Sequence, residues 1–488
     1  MADWEEVVVS DSSTTRAITR ASKQGQLRKL ASRLYTKNFN DSAEIIIKRN
    51  LWQIVGAYFP GAIIADRTAL ENAPASDGSV CLVANSESDI SLPGIILRPR
   101  KGLPPSTDDR PFIAGLHLSS TPRAFLENMR ATRARGGRVA RTLSTKELEE
   151  RLDGFLRIGG ESALNRLRDE TRDLAISLNM QAEAKKLDDI IGALLCTKGT
   201  SLQSDLGKAR SLGRPYDPTR IKLFEILEKE LRDHPPIFRE RLVKSEEGRT
   251  TQAFFEAYFS NFIEGTEFEV EEALNIVFRG VIPRERPDDA HDILGTYRMV
   301  VSQAQAGSDL TFENFIQVLK YCHANIMESR RDMRPGEFKL TKNRAGATFF
   351  VEPELILGTL EHGFKICRSF NSPFARAIFM MFLISEVHPF TDGNGRTARI
   401  LMNAELSSAN EERIIIPTVY RENYLAALRS LSRSEHPGAL IRMLDYAQRW
   451  TAAINWQGIE STRNELANSN AFVDSREAED KGIRLKLP

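Results

Sequence analysis

Apolar residues crowd most densely between positions 371 and 408 of this chain. Ser372 stands where a helix N-cap is wanted and Pro373 at the first helical position. The run through Phe374, Ile378, Phe379, Met380, Met381, Phe382, Leu383 and Ile384 then predicts a helix ending at Val387. Apolarity on every side of that helix implies burial on most of its faces. Residues 397–408 place Ile400, Leu401, Ala404 and Leu406 on one stripe and predict a second helix. The segment therefore reads as helix, tight turn, helix.

Helical spacing recurs at residues 144–195, opened by a Ser144/Glu147 capping-box pattern, and at 221–232, 420–431 and 439–456. It recurs again at 252–263, where Phe255, Tyr258, Phe259 and Phe262 share a face. Short apolar runs bounded by Gly and Pro at 80–83, 94–97 and 113–118 predict strands of a small sheet. Residues 334–341 and 347–351 flank Asn343 to Gly346 and predict a β-hairpin. Nearer the start, Ile18, Leu27, Leu30 and Leu34 predict short helices, and residues 43–58 a further helix closed by Pro60 and Gly61. Glycines and prolines make residues 198–218 the best linker. The fold class expected is mainly α: an all-helical domain with a hairpin at 219–460, then a polar tail at 461–488. Ahead of it stands a small α+β region, made of a winged-helix-like unit at 1–75 and an α+β to helical part at 76–197.

Composition changes this picture little. The 41% apolar and 27% charged content of the 488 residues is that of an ordinary globular protein, and a net charge of +1 does not single out a partner. Charge distribution says more: residues 16–49 are strongly basic, and Arg130, Arg133, Arg135, Arg138 and Arg141 form a second cluster. A basic face on small helices suits either DNA contact or a solvated surface. Cys81, Cys196, Cys322 and Cys367 are scattered, which argues against a disulfide framework or zinc site. With no signal-peptide pattern in the acidic first residues and no membrane-length apolar run, a cytoplasmic location without a membrane partner is expected.

The turn at residues 388–399 carries the chemistry. Gly393-Asn394-Gly395 permits positive φ, so backbone N–H groups can converge where a helix begins, and the helix dipole favours an anion there. Arg396 and Arg399 bring two guanidiniums to that end, while Asp392 offers the hard oxygen that a magnesium ion on a polyphosphate requires. His388 is the nearby group able to accept a proton at neutral pH.

These residues resemble the Fic family signature HPFx(D/E)GNGRxxR at every fixed position. Fic domains are all-helical enzymes, most of which move AMP from ATP to a protein hydroxyl. The resemblance implies that His388 deprotonates the target hydroxyl, Phe390 packs the loop into the core, and Asp392 holds Mg2+. It further implies that Gly393, Asn394, Gly395 and Arg396 bind the α- and β-phosphates of ATP, and that Arg399 reaches the γ-phosphate. Ser260-x-x-x-Glu264-Gly265 is similar to the inhibitory motif (S/T)xxxE(G/N), which implies that Glu264 pairs with Arg399 and keeps ATP unproductive. The hairpin resembles the Fic flap, with Glu337, Phe338, Lys339 and Leu340 docking the target segment by strand addition. Asn423 and Tyr424 fall where such domains line the adenosine pocket. The first 70 or so residues resemble the N-terminal region of AbiEi-type antitoxins and related transcriptional regulators, which implies a winged helix that binds the protein's own promoter.

The function expected is therefore an autoinhibited protein adenylyltransferase acting on a Ser, Thr or Tyr hydroxyl, with removal of AMP as a second activity of the same glutamate. Its alternative is a DNA-binding regulator whose Fic half senses nucleotide. Transfer of UMP or phosphocholine stays open, since the motif reads phosphates and not the base. DNA, through the basic N-terminal region, and a second copy of the chain in a homo-dimer are the further partners carried forward.

Overall fold

The computed structural model describes all residues except 1–3, 135, 236–237 and 303–309. The chain divides into two compact units, 1–213 and 214–488. Unit 1 begins with β1 (Val7–Val9), α1 (Thr15–Lys23), β2 (Arg28–Ala31) and β3 (Leu34–Thr36), followed by α2 (Ala43–Arg49) and α3 (Leu51–Tyr58). β3 lies between β1 and β2 and is antiparallel to both. Residues 28–36 are thus a hairpin rather than the short helices expected, because burial alternates: Leu34 and Thr36 point inward and Tyr35 does not. Arg33, at φ 61°, makes the reversal. α1 is followed directly by this hairpin, and among the described residues no helix precedes α1.

A mixed six-stranded sheet follows, built from β4 (Ile63–Ile64), β5 (Ser79–Val83), β6 (Ile90–Leu92), β7 (Ile95–Arg100), β8 (Arg110–Pro111) and β9 (His117–Leu118), in the order β6-β7-β5-β4-β9-β8. β4 pairs with β5, and Leu34, Ile46 and Ile54 share one core with Val80, Leu82 and Leu97. No domain edge therefore falls at residue 75, since the sheet is continuous across it. The helices are α4 (Asp66–Glu71), α5 (Thr121–Asn128), α6 (Thr145–Leu178), α7 (Gln181–Leu194) and α8 (Asp205–Ser211). Ser144 and Glu147 close the capping box that opens α6. Much of the expected linker is folded: Glu149 accepts the N–H groups of Gln203 and Ser204, and Arg210 meets Asp153 at 2.5 Å. The basic segment 130–141 is likewise pinned, through Arg130 to Glu183 (3.1 Å), Arg138 to Asp89 and Arg141 to Asp66 (2.9 Å); Arg135 lies outside the described residues.

Unit 2 contains α9 (Pro218–Asp233), α10 (Glu246–Ile263), α11 (Val270–Arg279), α12 (Pro287–Ser302), α13 (Phe312–Ile326), α14 (Ile356–Arg368), α15 (Pro373–Val387), α16 (Asn394–Ser408), α17 (Arg421–Ser434), α18 (Gly438–Ala453), α19 (Ile459–Asn468) and α20 (Ser475–Lys481). Its centre is α15, whose Ser372 hydroxyl accepts the Ala375 N–H at the N-cap and whose apolar residues from Phe374 to Val387 are buried. Gly363 of α14 lets that helix approach closely, since a Cβ there would lie 2.2 Å from Leu383 Cδ1. Residues 461–488 are not a loose tail: α19 and α20 place Leu466, Ala471, Ala478 and Leu485 in a core with Phe254, Phe255 and Trp450.

The hairpin is shorter than expected and displaced along the chain. β10 (Arg344–Ala345) pairs with β11 (Thr348–Phe349) across a turn begun by Gly346 at φ 58°. Residues 334–341 form a turn and irregular chain instead, because their backbone donors go elsewhere: Glu337 to Arg334 and Lys339 to Pro389. All four cysteines are free thiols, and among the described residues no helix is long and apolar enough to cross a membrane.

Leu383 is fully buried in α15. Leu383→Ala is expected to cost about 2–5 kcal/mol through lost transfer energy and a residual cavity. The urea midpoint followed by circular dichroism measures this, and an unchanged midpoint would deny α15 its central place in the core.

Candidate active site

α15 ends at His388, which takes the left-handed conformation (φ 53°) and returns its N–H to Ile384. A non-glycine residue held there is strained, and such strain collects at functional sites. The chain then turns back into α16, and the turn is braced by Asn394: its Oδ1 accepts the Phe390 N–H and its Nδ2 donates to the Phe390 carbonyl, both at 2.9 Å. Gly393, at φ 72°, has no room for a side chain, since a Cβ would fall 2.7 Å from Met327 Sδ. Phe390 is fully buried, as expected of the residue that anchors the turn.

The His388 ring stacks on Phe350 at 3.7 Å between centroids, with planes 4° apart. Its Nδ1 lies 3.3 Å from the Ser385 carbonyl, which fits the tautomer protonated at Nδ1 and leaves Nε2 as the accepting nitrogen. Burial pushes the pKa of His388 down to about 4; the Ser385 carbonyl works against this, and the positive charge of Lys339 adds to it. The ring is therefore neutral at physiological pH.

His388, Gly395, Arg399 and Glu264 line one cavity of about 430 Å³, together with Thr348, Phe350, Tyr424, Leu425 and Leu428. Ser385, Glu386, Arg429, Ser432 and Arg433 also line it, so polar and apolar groups are mixed. The Arg399 guanidinium is already engaged by the protein itself: it donates from Nη2 to Glu264 Oε1 (2.6 Å) and the Ser260 carbonyl (2.8 Å), and from Nε to Ser260 Oγ (2.9 Å). Burial disfavours the charge on Arg399, but Glu264 and Tyr424 outweigh it and hold the guanidinium above its ordinary pKa. Glu264, at the C-terminal end of α10, lies against Gly395, where a Cβ would meet its Oε1 at 2.1 Å.

The remaining residues of the turn are placed differently. Arg396 is buried and points away from the cavity, to Asp292 of α12 at 2.6 Å, and Asp292 is shared with Arg330 at 2.7 Å. The side chains of Asn394 and Arg396 are thus engaged within the protein, while their backbone amides belong to the first turn of α16, whose N–H groups have no intrahelical acceptors. Asp392 caps the Gly393 N–H with Oδ1 (2.7 Å), and its carboxylate is 47% exposed. Among the described residues no group of three or more metal-ligating side chains exists. A single open carboxylate suits magnesium, which takes its other ligands from phosphates and water.

Of the expected docking residues, Leu340 and Glu337 are exposed, whereas Phe338 packs 5.5 Å from Phe390 and Lys339 is buried with Nζ on Asn343 Oδ1 at 2.6 Å. Burial, reinforced by Arg220, lowers the pKa of Lys339 to about 8. The hairpin proper, through Ala345, Gly346 and Thr348, lines the cavity instead. Tyr424 lines it too; Asn423 lines a separate cavity of about 540 Å³ beside Tyr420 and Arg484. Asp292, Arg330 and Phe350 escaped sequence reasoning. Phe350 stood inside a strand-like run, but nothing in the pattern around Asp292 marks it.

Residues 314–406 match a family model described as Fic/DOC family. A Caenorhabditis briggsae protein named Protein adenylyltransferase fic-1 is 24% identical over 185 residues, covering 36% of this chain and 36% of that protein. Drosophila grimshawi Protein adenylyltransferase Fic is 26% identical over 188 residues, covering 36% of this chain and 38% of its own length. The chain thus spans little more than a third of the curated relatives it matches. Among solved structures, Fic-1 (aa134–508) from Caenorhabditis elegans covers 67% of this chain and 98% of that chain at 17% identity, with a TM-score of 0.37. The stretch that bears His388, the braced turn and Arg399 is a Fic/DOC domain within unit 2.

Proposed function

We propose that unit 2 transfers AMP from ATP to the hydroxyl of a Ser, Thr or Tyr on a protein target, and that the chain as it stands is held nearly inactive by Glu264. One observation carries this: a neutral imidazole and the first turn of a buried helix face one cavity, whose guanidinium is taken by a carboxylate from α10. The names of the relatives, protein adenylyltransferases, support the same reaction.

In this mechanism the triphosphate of ATP rests on the Gly393 to Arg396 amides, favoured by the positive end of α16. The base lies toward Leu425, Leu428 and the hairpin, which line the same cavity. Magnesium, when bound, neutralises phosphate charge, and Asp392 is the residue that would hold it. His388 Nε2 takes the hydroxyl proton as the target oxygen bonds to the α-phosphorus, the bond to the β-phosphate oxygen breaks, and pyrophosphate leaves. A pKa of about 4 makes His388 by itself a weak base. Negative phosphates beside the ring favour the imidazolium and strengthen it as the reaction needs. Residues 337–340 and the hairpin edge would present the target. In the resting chain Arg399 cannot serve a γ-phosphate while Glu264 and Ser260 hold it. The same glutamate, positioning water, would allow AMP release from a modified protein.

A second reading rests on a separate observation in unit 1. Arg16, Arg20 and Lys23 of α1 are exposed and form no ion pairs among the described residues, and the β2–β3 hairpin follows the helix at once. That arrangement suits phosphate contacts to DNA.

Replacing Glu264 with Gly is expected to raise self-labelling by α-labelled ATP at least tenfold, and adding His388→Ala to abolish it. A Glu264→Gly protein no more active than wild type would remove the inhibition. For His388, the unfolded ring binds its proton below about 6.5. The folded ring does so only near 4. Stability contributed by the neutral ring is therefore lost as pH falls from about 6.5 to 4. An imidazole titration by NMR with a midpoint near 4 is expected, and one near 6.5 would mean a solvated ring. A gel shift with a promoter fragment should show binding that falls steeply between about 50 and 200 mM salt and weakens when Arg16, Arg20 and Lys23 become Ala; equal binding by that variant would place any DNA contact elsewhere.

A further inference from the structure

His323, on α13, is a completely buried histidine that the mechanism above does not use. Both of its ring nitrogens are engaged, and on opposite sides of the site. Nδ1 accepts the backbone N–H of Gly336 at 2.9 Å. Nε2 lies 2.9 Å from the carbonyl oxygen of Asp392. A ring whose Nδ1 accepts must carry its proton on Nε2, so these two bonds specify one neutral tautomer. The ring is also stacked flat on Phe390, 3.7 Å between centroids with planes 2° apart.

The two backbone groups it joins belong to the two segments that the reaction has to align. Gly336, at φ 78°, is the turn from which residues 337–340 depart. Asp392 closes the loop that begins at His388. A further rung links the same segments, since the Lys339 N–H donates to the Pro389 carbonyl at 2.9 Å. The loop itself is tightly walled: a Cβ on Gly393 would lie 3.4 Å from His323 Cδ2.

We propose that His323 is a positioning residue: a neutral strut that sets the catalytic loop and the target-docking segment at a common distance through its two nitrogens. This rests on the adenylyl-transfer reading for its kinetic consequence but not for its geometry. Phenylalanine would keep the stack on Phe390 and lose both hydrogen bonds. Glutamine, whose donor and acceptor sit on one amide, cannot span two partners across an imidazole.

The test has two arms on the full chain. In the first, His323→Phe is made in the Glu264→Gly background, and single-turnover self-labelling is measured against ATP concentration. The expected result is a rate at saturation at least tenfold lower, with half-saturation by ATP moved less than threefold, in a protein whose melting curve remains cooperative. A saturating rate within threefold of the Glu264→Gly parent, or a defect confined to half-saturation, would overturn the proposal. The second arm needs no turnover. In wild-type protein labelled with ¹⁵N-histidine, one of the seven imidazoles should show a slowly exchanging Nε2–H, with Nδ1 unprotonated, that disappears in His323→Gln. A His323 ring protonated on Nδ1 would overturn the strut. A Glu264→Gly parent that does not label at all would count against adenylyl transfer and leave this second arm intact.

Discussion

The reversal between two buried helices is the constraint on which unit 2 depends. α15 and α16 are both deep in the core, so the chain must turn from one to the other without exposing its ends to water. The C-terminal end of α15 is closed by a residue in the left-handed conformation, and the turn that follows is closed by an asparagine acting as both donor and acceptor to a single residue. Because that turn is satisfied from within, the amides at the start of α16 remain available. The imidazole that occupies the left-handed position is carried to the same place by the same reversal.

Charge in this unit is arranged around that helix end. Two guanidiniums three residues apart are buried, and each has found an acid on another helix: Arg396 with Asp292 of α12, Arg399 with Glu264 at the end of α10. A buried guanidinium without a partner is costly, so both acids have a structural reason to be there. They differ in what surrounds them. Asp292 is almost completely enclosed and is shared with Arg330, whereas Glu264 keeps 31% of its side chain exposed and faces the cavity. The first pair belongs to the core; the second stands where a phosphate would compete.

Unit 1 uses similar chemistry to another end. Asp66 receives Arg100 and Arg141, and Arg123 is held between Asp109 and Glu127. Arginines that look like a basic cluster along the chain are mostly neutralised once folded, as Arg130, Arg138 and Arg141 are. Arg16, Arg20 and Lys23 of α1 are by contrast exposed and form no ion pair among the described residues.

What the chain encodes locally is legible from the order of its residues. The Ser372 and Ser144 caps, the fully apolar α15, the glycine-bounded turn and the separation of Ser260 from Glu264 all act over a few residues, where spacing alone decides geometry. The His388 turn is readable for the same reason. Features made by distant partners are not. Residues 28–36 become strands because β1 and the core claim alternate side chains, and the hairpin contracts to β10 and β11 because Lys339 spends its N–H on Pro389. Residues 461–488 look polar in sequence yet bury four apolar side chains against helices far upstream. That Arg396 turns inward to Asp292, and that His323 joins Gly336 to Asp392, follows only from packing. Sequence thus determined which groups stand together at one turn, because a few covalent bonds hold them there. Tertiary structure decided which of them face the cavity, because burial obliges each remaining polar group to find a partner wherever the fold supplies one.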